Sequence, residues 1–129
     1  MGCDIHGTIE IKVDGKWIMI NRLPFDGPAC DRNYKRFAAL AGVRGEGPEP
    51  RGIPSDVSES TLLYIQEWDC DGHSHSWMDL KIAAAIFSAT EFRHEPDSSA
   101  SKYPMSHYFD VDEERFGNDD LRLVFWFDN

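Results

Sequence analysis

The chain lacks several features that would assign it to a common class of protein. Its apolar runs fall well short of the roughly 20 residues needed to cross a bilayer, so no transmembrane helix is expected. The N-terminus shows no basic region followed by a long apolar stretch, and we therefore expect no secretory signal. No P-loop or GxGxxG fingerprint occurs, and no segment repeats. These absences favour a cytoplasmic protein whose 129 residues form one domain over 1–129.

Cysteine and basic residues are also scarce. The three cysteines, Cys3, Cys30 and Cys70, include no CxxC pair, which is typical of free thiols in a reducing cytoplasm. The 13 Lys and Arg residues face 23 Asp and Glu, and the net charge of -10 disfavours general nucleic-acid binding.

The charge is unevenly distributed along the chain. Residues 12–51 carry eight basic and five acidic side chains, a net +3, whereas the remainder carries five and eighteen, a net -13. A local basic patch in an acidic chain predicts one compact anionic ligand. The alternative interpretation is that the acidity serves only solubility.

Alternation of apolar and polar side chains predicts the strands. Residues 5–13 alternate as a half-buried strand, and Asp14-Gly15 is a strong hairpin signal that pairs Ile11 with Ile18 and Ile9 with Ile20. Residues 121–127 are apolar on both faces, which predicts a central strand covered on both sides.

Capping residues predict three helices. The first spans Arg32–Ala41 and begins at the cap Asp31; the second begins within 55–58 and runs to about Trp68. Ser76 followed by Asp79 predicts a third helix from Trp77. The expected fold is α+β: an antiparallel sheet including an N-terminal hairpin and a C-terminal central strand, with about three helices packed mainly on one face. We expect Tyr34, Phe37, Ala38 and Ala41 to line the buried side of the first helix, and Leu62, Leu63, Ile65 and Trp68 that of the second.

Chemistry-bearing residues concentrate in the segment 71–77, Asp-Gly-His-Ser-His-Ser-Trp. If this segment is a loop feeding a helix N-terminus, its unpaired N–H groups favour an anion and a neutral imidazole. A neutral imidazole can bind a metal or act as a base. The alternative is a helix cap that only packs beneath the neighbouring tryptophans.

The first strand contributes further candidates. Asp4 and His6, two residues apart, share one face, whereas Cys3 faces the core. The side chains least needed for a core are Asp4, His6, Arg32, Asn33, Arg44, Arg51, Asp71, His73, Ser74 and His75. The predicted ligand-binding residues are Asp4, His6, Arg32, Asn33, Tyr34, Arg44, Arg51, His73, Ser74, His75 and Ser76. The catalytic and metal candidates are His6, His73, His75 and Asp71. We expect all of these to line one pocket.

Several motifs together resemble those of a known group. They are Gly-Cys-Asp-Ile-His-Gly at 2–7, Pro-Arg-Gly-Ile-Pro at 50–54, the 71–77 segment and the ending Val-Phe-Trp-Phe-Asp-Asn at 124–129. The chain resembles, over nearly its whole length, small uncharacterised proteins encoded by bacteriophages, prophages and some bacteria. The resemblance implies a phage-associated cytoplasmic setting and no particular activity.

The leading hypothesis is a binding protein for a small phosphorylated or nucleotide-like ligand. Arg32, Arg44 and Arg51 would hold phosphates, and His73, His75 and Tyr34 would hold a base or sugar. In a phage setting such a protein would sequester a host immune signal. We expect Arg51→Ala to abolish binding.

Two other hypotheses belong to different classes. A zinc-type hydrolase or phosphodiesterase would use His73 and His75 as ligands, with His6 and Asp4 or Asp71 completing the site, and a metal-free variant would use His6 or His73 as acid and base. A third hypothesis is an acidic protein-interaction module that inhibits a host factor. No membrane partner is expected, and homo-oligomerisation stays open.

Overall fold

The computed structural model describes residues 2–23, 30, 32–68, 71–90 and 120–128. In chain order these form β1 (Asp4–Val13), β2 (Lys16–Arg22), α1 (Tyr34–Ala41), α2 (Glu59–Trp68), β3 (Gly72–Asp79), α3 (Leu80–Ala89) and β4 (Leu121–Asp128). The strands make an antiparallel sheet in the order β2-β1-β4-β3. The predicted α+β class, with an N-terminal hairpin, a central C-terminal strand and three helices, is confirmed. Among the described helices, none has the length and apolarity to cross a bilayer.

One face of the sheet holds the main hydrophobic core. Alternate residues of β1 and β4, including Ile5, Ile9 and Phe125, project to this face and are completely buried. The helices α1 and α3 cover it with apolar side chains that include Phe37, Leu40, Leu80, Ala83 and Phe87. Two of the three helices therefore lie on the same side of the sheet.

The opposite face is covered by α2 through a largely polar layer. Glu10 of β1 and Arg122 of β4 are partners in the sheet and form an ion pair of 2.7 Å that is almost wholly buried. The second oxygen of Glu10 accepts a hydrogen bond from the Ser58 backbone N–H at 3.0 Å. Beside this pair, the Thr8 and Thr61 hydroxyls lie 2.8 Å apart. Every buried polar group named here has a partner, as a polar layer requires.

The hairpin follows the predicted register only near its turn. Ile11 pairs with Ile18, as predicted, and Asp14 and Gly15 take the positive φ values of a two-residue turn. A bulge between Ile9 and Glu10 then shifts the register, so that Ile9 pairs with Asn21. The predicted pairing of Ile9 with Ile20 is therefore wrong, because the bulge inserts one residue into β2.

The first helix begins later than predicted. Asn33 is its N-cap, and its side chain accepts a hydrogen bond from the Arg36 N–H at 3.1 Å. Gly42 ends the helix in the left-handed conformation, as expected. Its buried side includes Arg36 instead of Tyr34, because the Arg36 guanidinium donates to the Phe87 carbonyl and the Thr90 hydroxyl at 2.9 Å each.

The second helix is present with the predicted end, and its cap is Ser58, whose hydroxyl accepts from the Thr61 N–H at 3.1 Å. Its buried side is narrower than predicted. Thr61 and Ile65 face the sheet, whereas Leu62 and Leu63 are exposed. The error arises because the polar Thr61, bonded to Thr8, takes a position that the apolar pattern assigned to leucine.

The third predicted helix start is wrong. Residues 72–79 form a strand paired with β4, and α3 begins only at Leu80, after the N-cap Asp79. Ser76 is not a helix cap; its hydroxyl accepts from the Arg51 backbone N–H at 3.1 Å. The pairing with β4 is a long-range interaction that overrides the local capping signal. Asp31 and Cys70 lie outside the described residues.

The buried ion pair gives a prediction about stability. Glu10→Gln keeps the shape of the side chain but removes the buried counter-charge of Arg122 and leaves only the exposed carboxylate of Asp56 beside it, which we expect to cost about 3 kcal/mol. Urea denaturation followed by circular dichroism measures the free energy of unfolding. The control Glu49→Gln removes an exposed carboxylate and is expected to change it by less than about 0.5 kcal/mol. Equal effects of the two substitutions would show that the pair is not buried.

Candidate functional site

Most of the predicted site residues gather at one end of the sheet, which we call the sheet end. There β1 begins, β4 ends and β3 begins, and Asp128 lies between its partners Asp4 and Gly72. The start of α1 and the loop after it reach the same place, because Arg32 contacts Asp4 and Tyr34 contacts Cys3. Residues far apart in the sequence are thus brought together.

Arg32 is held at the sheet end by Asp4. Its Nε donates to Asp4 Oδ1 at 2.7 Å and its Nη2 donates to Oδ2 at 3.2 Å. The hydrogen bond from Arg32 is the main reason why the pKa of Asp4 lies below its ordinary value. The guanidinium lies directly over Gly2, where a Cβ would be 1.9 Å from Nη1, so a side chain at that position would displace it. Within the described residues no group accepts from Nη1.

Arg44 approaches from the other side of the helix start. Its guanidinium lies 5.0 Å from the centre of the Tyr34 ring, and the Tyr34 hydroxyl accepts a hydrogen bond from the Cys3 N–H at 3.3 Å. Arg44 has a φ of 62°, so the backbone is left-handed where this side chain leaves the loop. Both arginines are exposed at their ends. Arg44 thus lies beside Tyr34, the first residue of α1, and both arginine charges act on Cys3, which Tyr34 contacts.

The Cys3 thiol lies beneath these charges. It is completely buried in the core, which confirms the predicted orientation of Cys3. Burial raises its pKa, with the charge of Arg44 opposing that shift. A buried thiol with a raised pKa is a poor nucleophile, because the thiolate is the reactive form.

His6 is next to the sheet end but is enclosed. It is 2% exposed, its Nε2 lies 3.0 Å from Asp128 Oδ2, and its ring stacks on Trp68 at 3.9 Å. Asp4 and His6 point to the same face of β1, as predicted. The ring is nevertheless shielded from ligands by α2, through Trp68.

A bulge in β3 separates the two other histidines. His73 pairs with Phe127 and Ser76 pairs with Phe125, so Ser74 and His75 together oppose one residue of β4. Ser74 has a φ of 56°, and its hydroxyl lies 3.0 Å from His73 Nδ1.

The two rings consequently project to opposite faces of the sheet. His73 packs 6.3 Å from the ring of Phe127, while His75 is parallel to the ring of Trp126 at 6.1 Å. Phe127 and Trp126 are consecutive in β4, and consecutive residues of a strand face opposite ways. The His-x-His spacing therefore does not place the two imidazoles side by side.

Three further predicted residues have other positions. The Arg51 guanidinium lies 4.6 Å from the Trp77 ring, beside β3 and about 13 Å along the sheet from its end at 3.3 Å per residue. Asn33 is buried and its side chain caps α1 and donates to the Thr90 carbonyl. Asp71 is exposed next to the start of β3.

The zinc-type site considered for His6, His73, His75 and Asp71 is not assembled by these side chains. In the part of the chain that the structure describes, no three His, Cys, Asp or Glu side chains are grouped so that they could hold a metal ion. His6 uses one ring nitrogen on Asp128, and the bulge separates His73 from His75.

Sequence reasoning missed two residues that build the sheet end. Gly2 provides the space for Arg32, and Asp128 binds His6. Lys35 adds an exposed positive charge in the first turn of α1. The first turn of that helix contains no acidic residue. The pairing of β1 with β4 would have revealed Asp128, since it places the last residues of β4 beside the first residues of β1.

Comparison with known protein families, with functionally characterised proteins and with solved structures finds no match to this chain.

The position of His75 gives a prediction about pH. The pKa of His75 lies below its ordinary value of 6.5, mainly because the ring is buried and to a smaller extent because of the charge of His73. The unfolded chain then binds a proton that the folded chain does not, so stability is complete above pH 6.5 and falls as the pH drops from there toward the folded pKa. An NMR titration of the imidazole should give a pKa below 6.5, and His75→Gln should reduce the loss of stability between pH 6.5 and 5. A ring that titrates above 6.5 would contradict the described burial.

Proposed function

We propose that the chain binds a small phosphorylated or nucleotide-like ligand at the sheet end, with Arg32, Arg44 and the first turn of α1 as the anion-binding groups. The observation that carries the proposal is the convergence of these three positive groups on Tyr34. Arg32 and Arg44 come from opposite ends of α1, and each is oriented by another side chain before any ligand arrives. Groups held in place in advance lose less conformational entropy on binding.

The helix N-terminus supports an anion at this place. The backbone N–H groups of Tyr34 and Lys35 have no partner within the helix, and the helix dipole is positive here. The absence of an acidic side chain from the first turn leaves that positive end uncompensated by the helix itself. Nη1 of Arg32 and the fork of Arg44 would supply charge-assisted hydrogen bonds to phosphate oxygens.

An aromatic ring beside the arginines suits a ligand with a flat group. Tyr34 is 37% exposed, and its ring is packed edge-on against Phe37, which fixes its orientation. A base or sugar bound next to this ring would explain why the arginines surround an aromatic residue. In the phage setting implied by the motif resemblance, a protein of this kind would sequester a host nucleotide signal without turning it over.

The site is less suited to hydrolysis. Its buried thiol has a raised pKa, and the imidazole of His6 is enclosed, with Nε2 3.0 Å from Asp128 Oδ2. A general base must reach the proton that it removes, and His6 has no open path to the arginines in the described structure. Binding without turnover is the function that the geometry favours.

Substitution of Arg44 tests the proposal. Arg44→Asn removes the guanidinium while keeping a residue that tolerates the left-handed backbone. We expect it to weaken the binding of a phosphorylated probe, adenosine triphosphate or pyrophosphate, by at least about tenfold, the effect of losing one hydrogen bond to a charged group. Isothermal titration calorimetry measures the dissociation constant.

A matched control is available in Arg22. This arginine also lies over a tyrosine ring, that of Tyr64 at 3.9 Å, but it is at the end of β2 and away from the sheet end. Arg22→Asn should leave binding unchanged, and Arg51→Ala should have a smaller effect than Arg44→Asn. Equal weakening by the Arg22 and Arg44 variants would indicate nonspecific charge attraction, and would refute a site at the sheet end.

A further inference from the structure

The strand β2 forms an edge of the sheet in the described structure. Its backbone pattern follows from the hairpin turn. In a two-residue hairpin the flanking pair Val13 and Lys16 exchanges hydrogen bonds, and alternate pairs then do the same. Trp17 and Met19 belong to the intervening pairs, so their backbone N–H and C=O groups point away from β1. No described residue hydrogen-bonds to these outward groups.

The other edge of the sheet is different. Outside β3, the Gly52 N–H donates to the His75 carbonyl at 2.8 Å, and the Arg51 N–H donates to the Ser76 hydroxyl at 3.1 Å. That edge is thus partly covered by the chain's own loop. Uncovered edges invite pairing with another strand, and proteins normally protect them.

A cleft of about 430 Å³ lies beside the edge of β2. Its volume is within the range of pockets that bind small molecules or side chains. The strand forms one wall and the start of α2 the other, and the lining residues are Gly15, Lys16, Trp17, Ile18, Met19, Asp56, Val57, Ser58, Glu59 and Ser60. Ile18 is 47% exposed on the other side of the strand, so apolar surface is available on both sides of the edge.

The charge of the strand indicates which partner would fit. Lys16 and Arg22 stand at the two ends of β2, which contains no acidic residue. The two acidic residues of the cleft, Asp56 and Glu59, are on the opposite wall, and Asp56 is already paired with Arg122 at 3.0 Å. The edge itself is therefore basic at both ends, about 20 Å apart at 3.3 Å per residue.

A second copy of the chain fits this edge poorly. Antiparallel pairing of β2 with β2 of another copy, centred on Met19, would put Lys16 of each copy opposite Arg22 of the other. Like charges directly opposite each other destabilise a strand pair. A strand with acidic residues at both ends would instead meet an opposite charge at each position.

We propose that the outer edge of β2 is a docking surface for an extended acidic peptide segment of a partner protein. The segment would add to the sheet as a fifth strand by hydrogen bonding to the backbone of Trp17 and Met19. Its acidic ends would pair with Lys16 and Arg22, and alternate small apolar side chains would enter the cleft. This surface is separate from the sheet end and does not depend on the function proposed there.

Two synthetic peptides test the proposal. Each has seven residues with blocked ends, alternating valine and threonine inside, and either glutamate or lysine at both ends. We expect the glutamate peptide to bind about fivefold more tightly, the upper effect of a cross-strand charge pair. We expect the Trp17 and Met19 amides to exchange rapidly in the free protein and to be slowed by binding of the peptide. Titration followed by NMR measures both quantities.

Charge reversal provides the matched control. Lys16→Glu should abolish the preference for the glutamate peptide, whereas Lys81→Glu, which reverses an exposed charge on α3, should leave it unchanged. Equal affinity of the two peptides, no binding of either, or equal effects of the two reversals would overturn the proposal. Slow exchange of Trp17 and Met19 in the dilute free protein would assign the edge to the chain's own residues and would also overturn it. Slow exchange that appears only as the protein concentration rises would assign it to a second copy, with the same consequence.

Discussion

The ion pair between Glu10 and Arg122 is the interaction on which the polar layer of the protein depends. Arg122 belongs to β4, a strand whose residues 121–127 are all buried, so its charge has no access to bulk water. Desolvation of two charges is costly, and the pair is tolerable only because the remaining donors and acceptors are satisfied. Glu10 bonds to Ser58 and Arg122 bonds to Asp56, so the pair also fixes the segment that starts α2.

The same pair orders three neighbouring elements. The guanidinium of Arg122 lies 4.0 Å from the Trp17 ring, so β2 folds over the pair and shields it. Ser58, bonded to Glu10, is also the cap of α2, which then places Thr61 against Thr8 and Trp68 against His6. The enclosure of His6 is in this sense a consequence of a charge pair near the other end of the sheet. The helix α2 thus connects the buried ion pair with the sheet end.

The sequence predicts the sheet better than it predicts the ends of helices. The double-sided apolar pattern of β4 predicts its burial on both faces correctly. The alternation in β1 predicts the strand but not its burial: residues 5–10 are buried on both faces, because α2 covers the polar face that was expected to be exposed. The strand β3 was not predicted, because Ser76 and Asp79 have the spacing of a helix cap while the pairing with β4 is set by residues about 50 positions away. The bulge that separates His73 from His75 depends on one positive φ at Ser74. A glycine at this position would have indicated such a conformation, but a serine does not.

The candidate site shows the same division between local and long-range information. That Asp4 and His6 share a face, and that Cys3 is buried, follow from strand geometry alone. The meeting of Arg32 with Asp4, and of Arg44 with Tyr34, requires the packing of α1 against the sheet, which pattern reasoning does not supply. The polar residues that we expected to line a single pocket lie instead at several separate positions in the structure.

The basic residues within 12–51 are not gathered in one place in the fold, although the sequence gives them a single net charge of +3. Arg36 is buried against α3 and contributes nothing to the surface, whereas Arg32, Lys35 and Arg44 gather at the sheet end. Lys12 and Lys16 lie instead beside the hairpin turn, and Arg22 lies at the other end of β2, where it pairs with Thr8. Since screening limits interactions between exposed charges to about 10 Å in ordinary salt, the two groups attract anions independently of each other. The two proposed ligands, a small anion at the first and an acidic strand at the second, match the separate geometries: a convergent cluster in one case and a row along a backbone edge in the other.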